Sequence, residues 1–427
     1  MTTASPHTYL DHAATTPMVS EAVAAMTAQL PRLGNASSLH ASGRAARRVV
    51  EESRETIAQA LGARPSEVVF TGGGTEADNL AVKGLFWSRQ AADPRRRRIL
   101  ASSVEHHAVL DAVTWLGSHA GAQIEWLPVD RLGRLDVDAA AASIERDPAS
   151  VAFLTLMWVN NEVGTVQPLS DIAARARRLD IPVHTDAVQA IGQLPVDFAA
   201  AGVDAMTVSG HKVGGPTGVG ALVVRRETNL VPVLHGGGQE RDVRSGTLDV
   251  PSIAGFAAAL EVATKRQPEL AARLVELRQE LVRQVLAAVP DAELNGDPDL
   301  GLDRRLPGNA HFSFPGCEGD SLLLLLDARG IECSTGSACS AGVAEPSHVL
   351  IAMGRDEEQA RGSLRFSLGH TSTRADVDAL GAAIGPVVVR ARAAGLVNAV
   401  RAVDAGQPGG ADIGRVGDAV DARERPA

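Results

Sequence analysis

Val203 to Val224 reads VDAMTVSGHKVGGPTGVGALVV. Two apolar runs, VDAMTVS and GVGALVV, flank a Gly-rich turn that carries Lys212. Runs that are apolar throughout read as strands buried on both faces, as in a parallel sheet covered by helices. Working outward, the same texture recurs. EVVF, RILAS, QIEWLPV, the long VAFLTLMWV and IPVHTD read as further strands. Helical patterns such as EADNLAVKGLFW, HHAVLDAVTWLGSHAG and DIAARARRL separate them. Strands alternating with helices imply an α/β fold with a mostly parallel sheet.

The texture changes near Pro251. A long helical stretch reaches about Ala288, followed by NAHFSF, IECS and GSLRFSLG as strands and by GDSLLLLLDARG and TRADVDALGAAIGPVVVRAR as helices. This predicts a smaller α+β domain. The expected organisation is an N-terminal segment (1–20) joining the small domain, a large domain (21–250), the small domain (251–400) and a flexible tail (401–427). A chain of 427 residues with 45% hydrophobic side chains is long enough for two cores.

Net charge is −10, so a non-specific nucleic-acid or anionic-membrane binder is disfavoured. The one basic run, Arg95–Arg98, reads as a solvated loop edge. No apolar stretch reaches membrane-spanning length, and the N-terminus has no apolar signal core. Three cysteines argue against a disulfide framework and for a reducing compartment, with the cytoplasm as the default.

Of 41 basic residues only Lys83, Lys212 and Lys265 are lysines. An amine can act as a nucleophile where a guanidinium cannot, so Lys212 in its Gly-rich turn stands out. Its plain alternative is a surface turn. In VVFTGGGTEADN, Gly74 and Thr75 follow a strand and open a helix, which suits a phosphate cradle or a tight turn with Thr75 as N-cap. In VHTDAVQA, Asp186 ends a strand, where ligands sit in open α/β sheets; it could equally cap the next segment. His184 beside it reads as a core or supporting histidine. Lys212, Asp186 and the cradle together match the needs of pyridoxal phosphate: an amine for a Schiff base, a carboxylate for the pyridinium nitrogen, a site for the phosphate. His106, in SVEHHAVLD, could lie against a ring or move protons. Metal binding is the rival there, but no CxxC, HxxxH or HExxH spacing supports it. Asn35 and Arg365 suit a substrate carboxylate.

Taken together, YLDHAATTP, GNASSLH, FTGGGTEADNLAVKG, EHHAVLD, VNNEVGTVQP, DAVQAIGQLPVD, SGHKVGGPTGVGAL, HGGGQERDVRSGT, ECSTGSACSAGVAEPSHVL and LRFSLG resemble a cysteine desulfurase. That group of pyridoxal-phosphate enzymes is related to class V aminotransferases. The resemblance runs from about Tyr9 to Arg392. It implies an aspartate-aminotransferase-like fold with a mostly parallel seven-stranded sheet. It implies that Lys212 carries the Schiff base, Asp186 pairs with the pyridinium nitrogen, Gln189 contacts the ring hydroxyl side and His106 stacks on the ring. Gly74, Thr75, Ser209 and His211 would hold the phosphate, with Thr247 reaching the phosphate of a partner subunit in a homodimer. Asn161 would lie beside cofactor and substrate, and Asn35 and Arg365 would hold the carboxylate of L-cysteine. Cys339 would be the nucleophile, taking sulfur as a persulfide, leaving L-alanine, and passing the sulfur to an acceptor for iron–sulfur assembly or tRNA thiolation. The residues from Cys339 to Pro346 resemble the group with a long catalytic loop, and Gly336, Ala338, Ala341 and Gly342 suit a mobile tether. Cys317 and Cys333 read as small buried residues. GNAS stands where that family usually has Pro after the Asn, and the C-terminal tail does not resemble its partner-docking end. A selenocysteine lyase or a thiol-free transaminase compete within the fold, and a non-catalytic phosphate-ligand or scaffold protein outside it.

Overall fold

The structure, a computed structural model, describes residues 7–299, 301–336 and 346–404. Twelve strands occur among them: β1 (Thr8–Tyr9), β2 (Val68–Thr71), β3 (Arg98–Ser102), β4 (Gln123–Leu127), β5 (Val151–Thr155), β6 (Val183–Asp186), β7 (Ala205–Ser209), β8 (Gly220–Val224), β9 (Glu293–Asn295), β10 (Asn309–Ser313), β11 (Ile331–Glu332) and β12 (Ser363–Ser367). Seven form the central sheet in the order β2-β8-β7-β6-β5-β3-β4. Only β8 runs against its neighbours; the other contacts in the sheet are parallel. The fold is therefore α/β with a mostly parallel seven-stranded sheet. β2, β5, β7 and β8 are buried at every position, which explains why their sequences are apolar without alternation.

A second sheet, β12-β10-β9, is antiparallel. Its core gathers Phe312, Phe314 and Phe366 with Leu10. Leu10 arrives there because β1 pairs with β11. The helix Val250–Ala288 joins the two bodies. Ile253, Phe256 and Leu260 pack on the central sheet, while Leu274, Leu281 and Val285 pack in the second core. Asp249 caps it, accepting from the Ser252 N–H at 3.1 Å, and Pro251 sits where no helical N–H is needed.

Three expectations change. VAFLTLMWV is a strand only to Thr155. Beyond it the Met157 N–H turns to the Glu105 carboxylate (2.8 Å) and the Trp158 N–H to the Asp186 carbonyl (2.8 Å). Arg95–Arg98 is not uniformly solvated: Arg98 opens β3, is buried, and donates to Glu125 at 2.7 Å and to the Ser143 carbonyl at 2.9 Å. The final helix, Arg374–Asp404, extends into the stretch expected as tail. Among the described residues no helix is long and apolar enough to cross a membrane.

Candidate active site

A cavity of about 250 Å³ opens beyond the C-terminal ends of β6 and β7. Gly74, Thr75, His106, Asn161, Asp186, Gln189, Ser209, His211 and Lys212 all line it, with Asp78, Met157 and Val188. Nine of the residues expected from sequence thus converge from distant segments.

Each is placed by local structure. Gly73, at φ 145°, is the N-cap of the helix Gly74–Ala92, which has no side-chain cap. Thr75 is in the first turn and is not the N-cap, because the positive φ falls at Gly73. The first-turn N–H groups and the positive end of the helix therefore remain available to an anion. A Cβ on Gly74 would lie 3.3 Å from Val188 Cγ2 and 3.5 Å from Ser209 Cβ, so only glycine leaves that wall open. His106 is the N-cap of the helix His107–Ala120; its Nδ1 accepts from the Ala108 N–H at 3.2 Å, which leaves Nε2 to carry the ring proton. Asp186 Oδ1 accepts from the Val188 N–H at 2.9 Å. Gln189 donates to the Ala13 carbonyl, and the His211 ring lies 2.7 Å from Thr15 Oγ1. Lys212 Nζ donates to the carbonyls of Ala13 and, at 2.9 Å, Ala14.

Burial controls the charges. It lowers Lys212 to about 8, helped by the Arg365 guanidinium. It raises Asp186 to about 6, opposed by the Val188 N–H and the Lys212 amine. It lowers His106 and His211 to about 4 each, with Lys212 adding to both shifts. At neutral pH the site therefore holds two uncharged imidazoles, an anionic Asp186 and a lysine with a substantial neutral fraction.

Pyridoxal phosphate fits this donor set. The Ser209 hydroxyl is buried without a partner among the described residues, beside the uncapped helix end, where a phosphate needs donors. Asp186 supplies a carboxylate and Lys212 an amine to the same cavity.

The profile of the family described as Aminotransferase class-V matches residues 8–380. The chain belongs to this family. It is similar to an IscS-like cysteine desulfurase of Mycobacterium tuberculosis, at 58% identity over 92% of this chain and 98% of that relative. It is also similar to the cysteine desulfurase IscS of Dictyoglomus turgidum, at 44% identity over 87% and 91%. Among solved structures a NifS-like protein matches with TM-score 0.81 and 33% identity over 90% of this chain and all of that one. Enzymes of the class-V aminotransferase family that act as cysteine desulfurases depend on pyridoxal phosphate.

Other expected residues lie apart from the cavity. Arg365, on β12, is buried; it donates to Asp11 Oδ1 at 2.8 Å and to the Asn161 carbonyl at 3.0 Å. Its Nε–H is buried without a partner among the described residues, which leaves a donor for a carboxylate. Asn35 and Thr247 do not line the cavity of their own chain; both are exposed. Cys339 lies outside the described residues. Cys333 and Cys317 are buried, and burial raises both thiols, Cys333 to about 12. Such thiols are inert near neutral pH.

Sequence reasoning missed Asp78, a buried residue of the cavity lining, and Glu105, buried next to His106. Asp78, His106 and Asp186 each bring one ligand atom within 4.8 Å of the others, a proximity no sequence spacing revealed. The available signal was a carboxylate on the otherwise apolar helix face of Ala77, Ala81 and Leu85.

Proposed function

We propose that this chain takes sulfur from L-cysteine, with pyridoxal phosphate held in the Gly74–Lys212 cavity, and stores it as a persulfide on Cys339. The observation that supports the reading is the convergence of Lys212, Asp186, His106 and an uncapped helix end on one cavity.

Bound there, pyridoxal phosphate supplies a carbonyl for amines and an electron sink for a broken Cα–H bond. Gly74, Thr75, Ser209 and His211 would hold its phosphate, Asp186 would pair with the ring nitrogen, and Gln189 would contact the ring hydroxyl side. The lowered Lys212 amine is nucleophilic near neutral pH and can take and return a proton at the substrate Cα. Arg365, fixed by Asp11, and Asn161 orient the substrate carboxylate. The neutral His106 would bound the ring and offer its Nε2–H there as a hydrogen-bond donor. The Cys339 thiolate attacks the substrate sulfur; the S–S bond forms as the Cβ–S bond breaks, and the Cβ electron pair takes up a proton. The products are L-alanine and a Cys339 persulfide. A dithiol or thiolate acceptor then takes the terminal sulfur. The names of the relatives support delivery to iron–sulfur assembly; tRNA thiolation is the other destination in this reading.

The reading includes a homodimer and a cytoplasmic location. The support for the dimer is the exposure of three leucines, Leu30, Leu33 and Leu39, at 61%, 88% and 86%, together with that of Thr247 and Asn35. Both polar residues would then serve the site of the other chain.

Purified protein fed L-cysteine should yield L-alanine, and Cys339→Ser should abolish it. A visible absorption band should be present in wild type and lost in Lys212→Ala. Alanine formation that survives Cys339→Ser would refute the assignment.

A further inference from the structure

We propose that Asp78 is a positioning residue for the cofactor site: an uncharged carboxyl group, buried behind Asp186, that ties the phosphate cradle to β6 and β7 and leaves Asp186 the sole anion on the cavity floor. The proposal rests on the pyridoxal phosphate reading of the cavity.

Asp78 lies one turn into the Gly74–Ala92 helix, four residues beyond the glycine that opens it. It is 1% exposed. One of its oxygens lies within 4.8 Å of the Asp186 carboxylate, and its Oδ1 has no hydrogen-bond partner among the described residues. The groups that face it come from every neighbouring element. β6 supplies Asp186 and His184; β7 supplies Thr207; the turn before the His107–Ala120 helix supplies Glu105 and His106; Lys212 follows β7, beyond Asp186. None gives Asp78 a cation of its own. The nearest is His184, whose Nε2 lies 3.5 Å from Asp78 Oδ1, an ion-pair distance only if the ring is protonated. His184 is wholly buried, between Thr155 Oγ1 (3.0 Å from Nδ1) and Thr207 Oγ1 (3.1 Å from Nε2), and burial alone holds it far below its usual range. Glu105 adds a third fully buried carboxyl, with Oε1 on the Met157 N–H and Oε2 unpartnered among the described residues.

Three carboxyl groups in one desolvated pocket cannot all ionise beside one lysine. Asp186 is nearest the amine and keeps the charge. Asp78 keeps its proton: burial first and then the Asp186 charge push it up, against the opposing hydrogen bond from Thr207. A neutral carboxyl has one donor and remaining acceptor capacity. It can bridge the helix to the Thr207 and His184 side chains without adding a second anion. The same helix opens the phosphate cradle, and β6 ends in Asp186, so Asp78 sets the separation of the two groups that grip the cofactor at opposite ends.

The test compares wild type, Asp78→Asn and Asp78→Ala, with and without pyridoxal phosphate. With cofactor, the dissociation constant and the pH dependence of the visible band are read. Asp78→Ala should weaken binding about tenfold or more, as loss of an outer-shell support does, while the neutral, isosteric Asp78→Asn stays within about twofold of wild type. If the Ala variant does not fold, Asp78→Ser gives the same comparison. Without cofactor, thermal melting is followed from about pH 5 to about pH 8. Wild type should lose stability relative to Asp78→Asn across that range, because only wild type must hold a proton that its unfolded chain releases. An Asn variant that loses cofactor as badly as the Ala variant overturns the proposal, as does an Ala variant that loses none. So do melting curves for wild type and Asn that run parallel with pH. A wild type that binds no pyridoxal phosphate would defeat the cavity reading instead, and the cofactor-free melting would still decide the charge on Asp78.

Discussion

Glu105 directly precedes His106 and is fully buried, and burial raises its carboxyl to about 8. A carboxyl raised in the folded state contributes stability that is full below its unfolded value and is lost as pH rises through the folded one. Wild-type apoprotein should therefore lose stability relative to Glu105→Gln between about pH 4.5 and pH 8, read by thermal melting at a series of pH values. Parallel curves would mean that Glu105 is ionised in the fold. Lys212 gives the opposite case, an amine lowered to about 8. Capture of pyridoxal phosphate by the apoprotein, followed at the visible band, should speed up with pH to about 8 and then level off. An unperturbed lysine would keep accelerating towards about pH 10. These two residues also differ in how legible they are in the sequence. Lys212 stands out because lysine is scarce and this one sits in a Gly-rich turn after an apolar strand. Glu105 and Asp78 do not, because only the packing of the Gly74 helix on β6 and β7 shows that their carboxyls have no solvent.

Strands such as β5, β7 and β8 were legible as elements because burial on both faces makes them largely apolar without alternation. Their ends were less so. Thr155 ends β5 because side chains and carbonyls from Glu105 and Asp186 take the next N–H groups, a competition between distant segments that VAFLTLMWV does not encode. The same holds for the segment Gly236–Leu248. Glu240, Arg241 and Asp242 have φ of 49°, 58° and 63°, a left-handed run without glycine. Arg54, from the helix Ala41–Ala60, holds it there. Its guanidinium meets both Glu240 oxygens at 2.6 and 2.7 Å, Glu240 also accepts from the Phe70 N–H at 2.8 Å, and Arg54 lies 4.6 Å above the Phe70 ring. Removing one partner of a buried pair leaves an uncompensated charge, so Arg54→Ala should cost about 3–5 kcal/mol in chemical denaturation. A cost under about 1 kcal/mol, the range of an exposed pair, would contradict the clasp.

At the scale of the whole molecule, one cavity collects residues from Gly74 to Lys212, while Asn35 and Thr247 face outward on the same chain. A second copy would account for both, together with the exposed Leu33. Sedimentation should give a dimer, and Leu33→Asp should shift it towards monomer with loss of activity; an active monomer would contradict the shared-site account. Cys339 as the proposed nucleophile rests on the resemblance carried by the motifs, and the burial that raises the Cys317 and Cys333 thiols makes them poor rivals for that role. The most direct test is a single turnover with L-cysteine, quenched and divided between amino-acid analysis and mass spectrometry of the peptide that contains Cys339. The account predicts one added sulfur atom on that peptide for each L-alanine released. L-Alanine without added sulfur on Cys339, or the added sulfur on Cys317 or Cys333 instead, would contradict it.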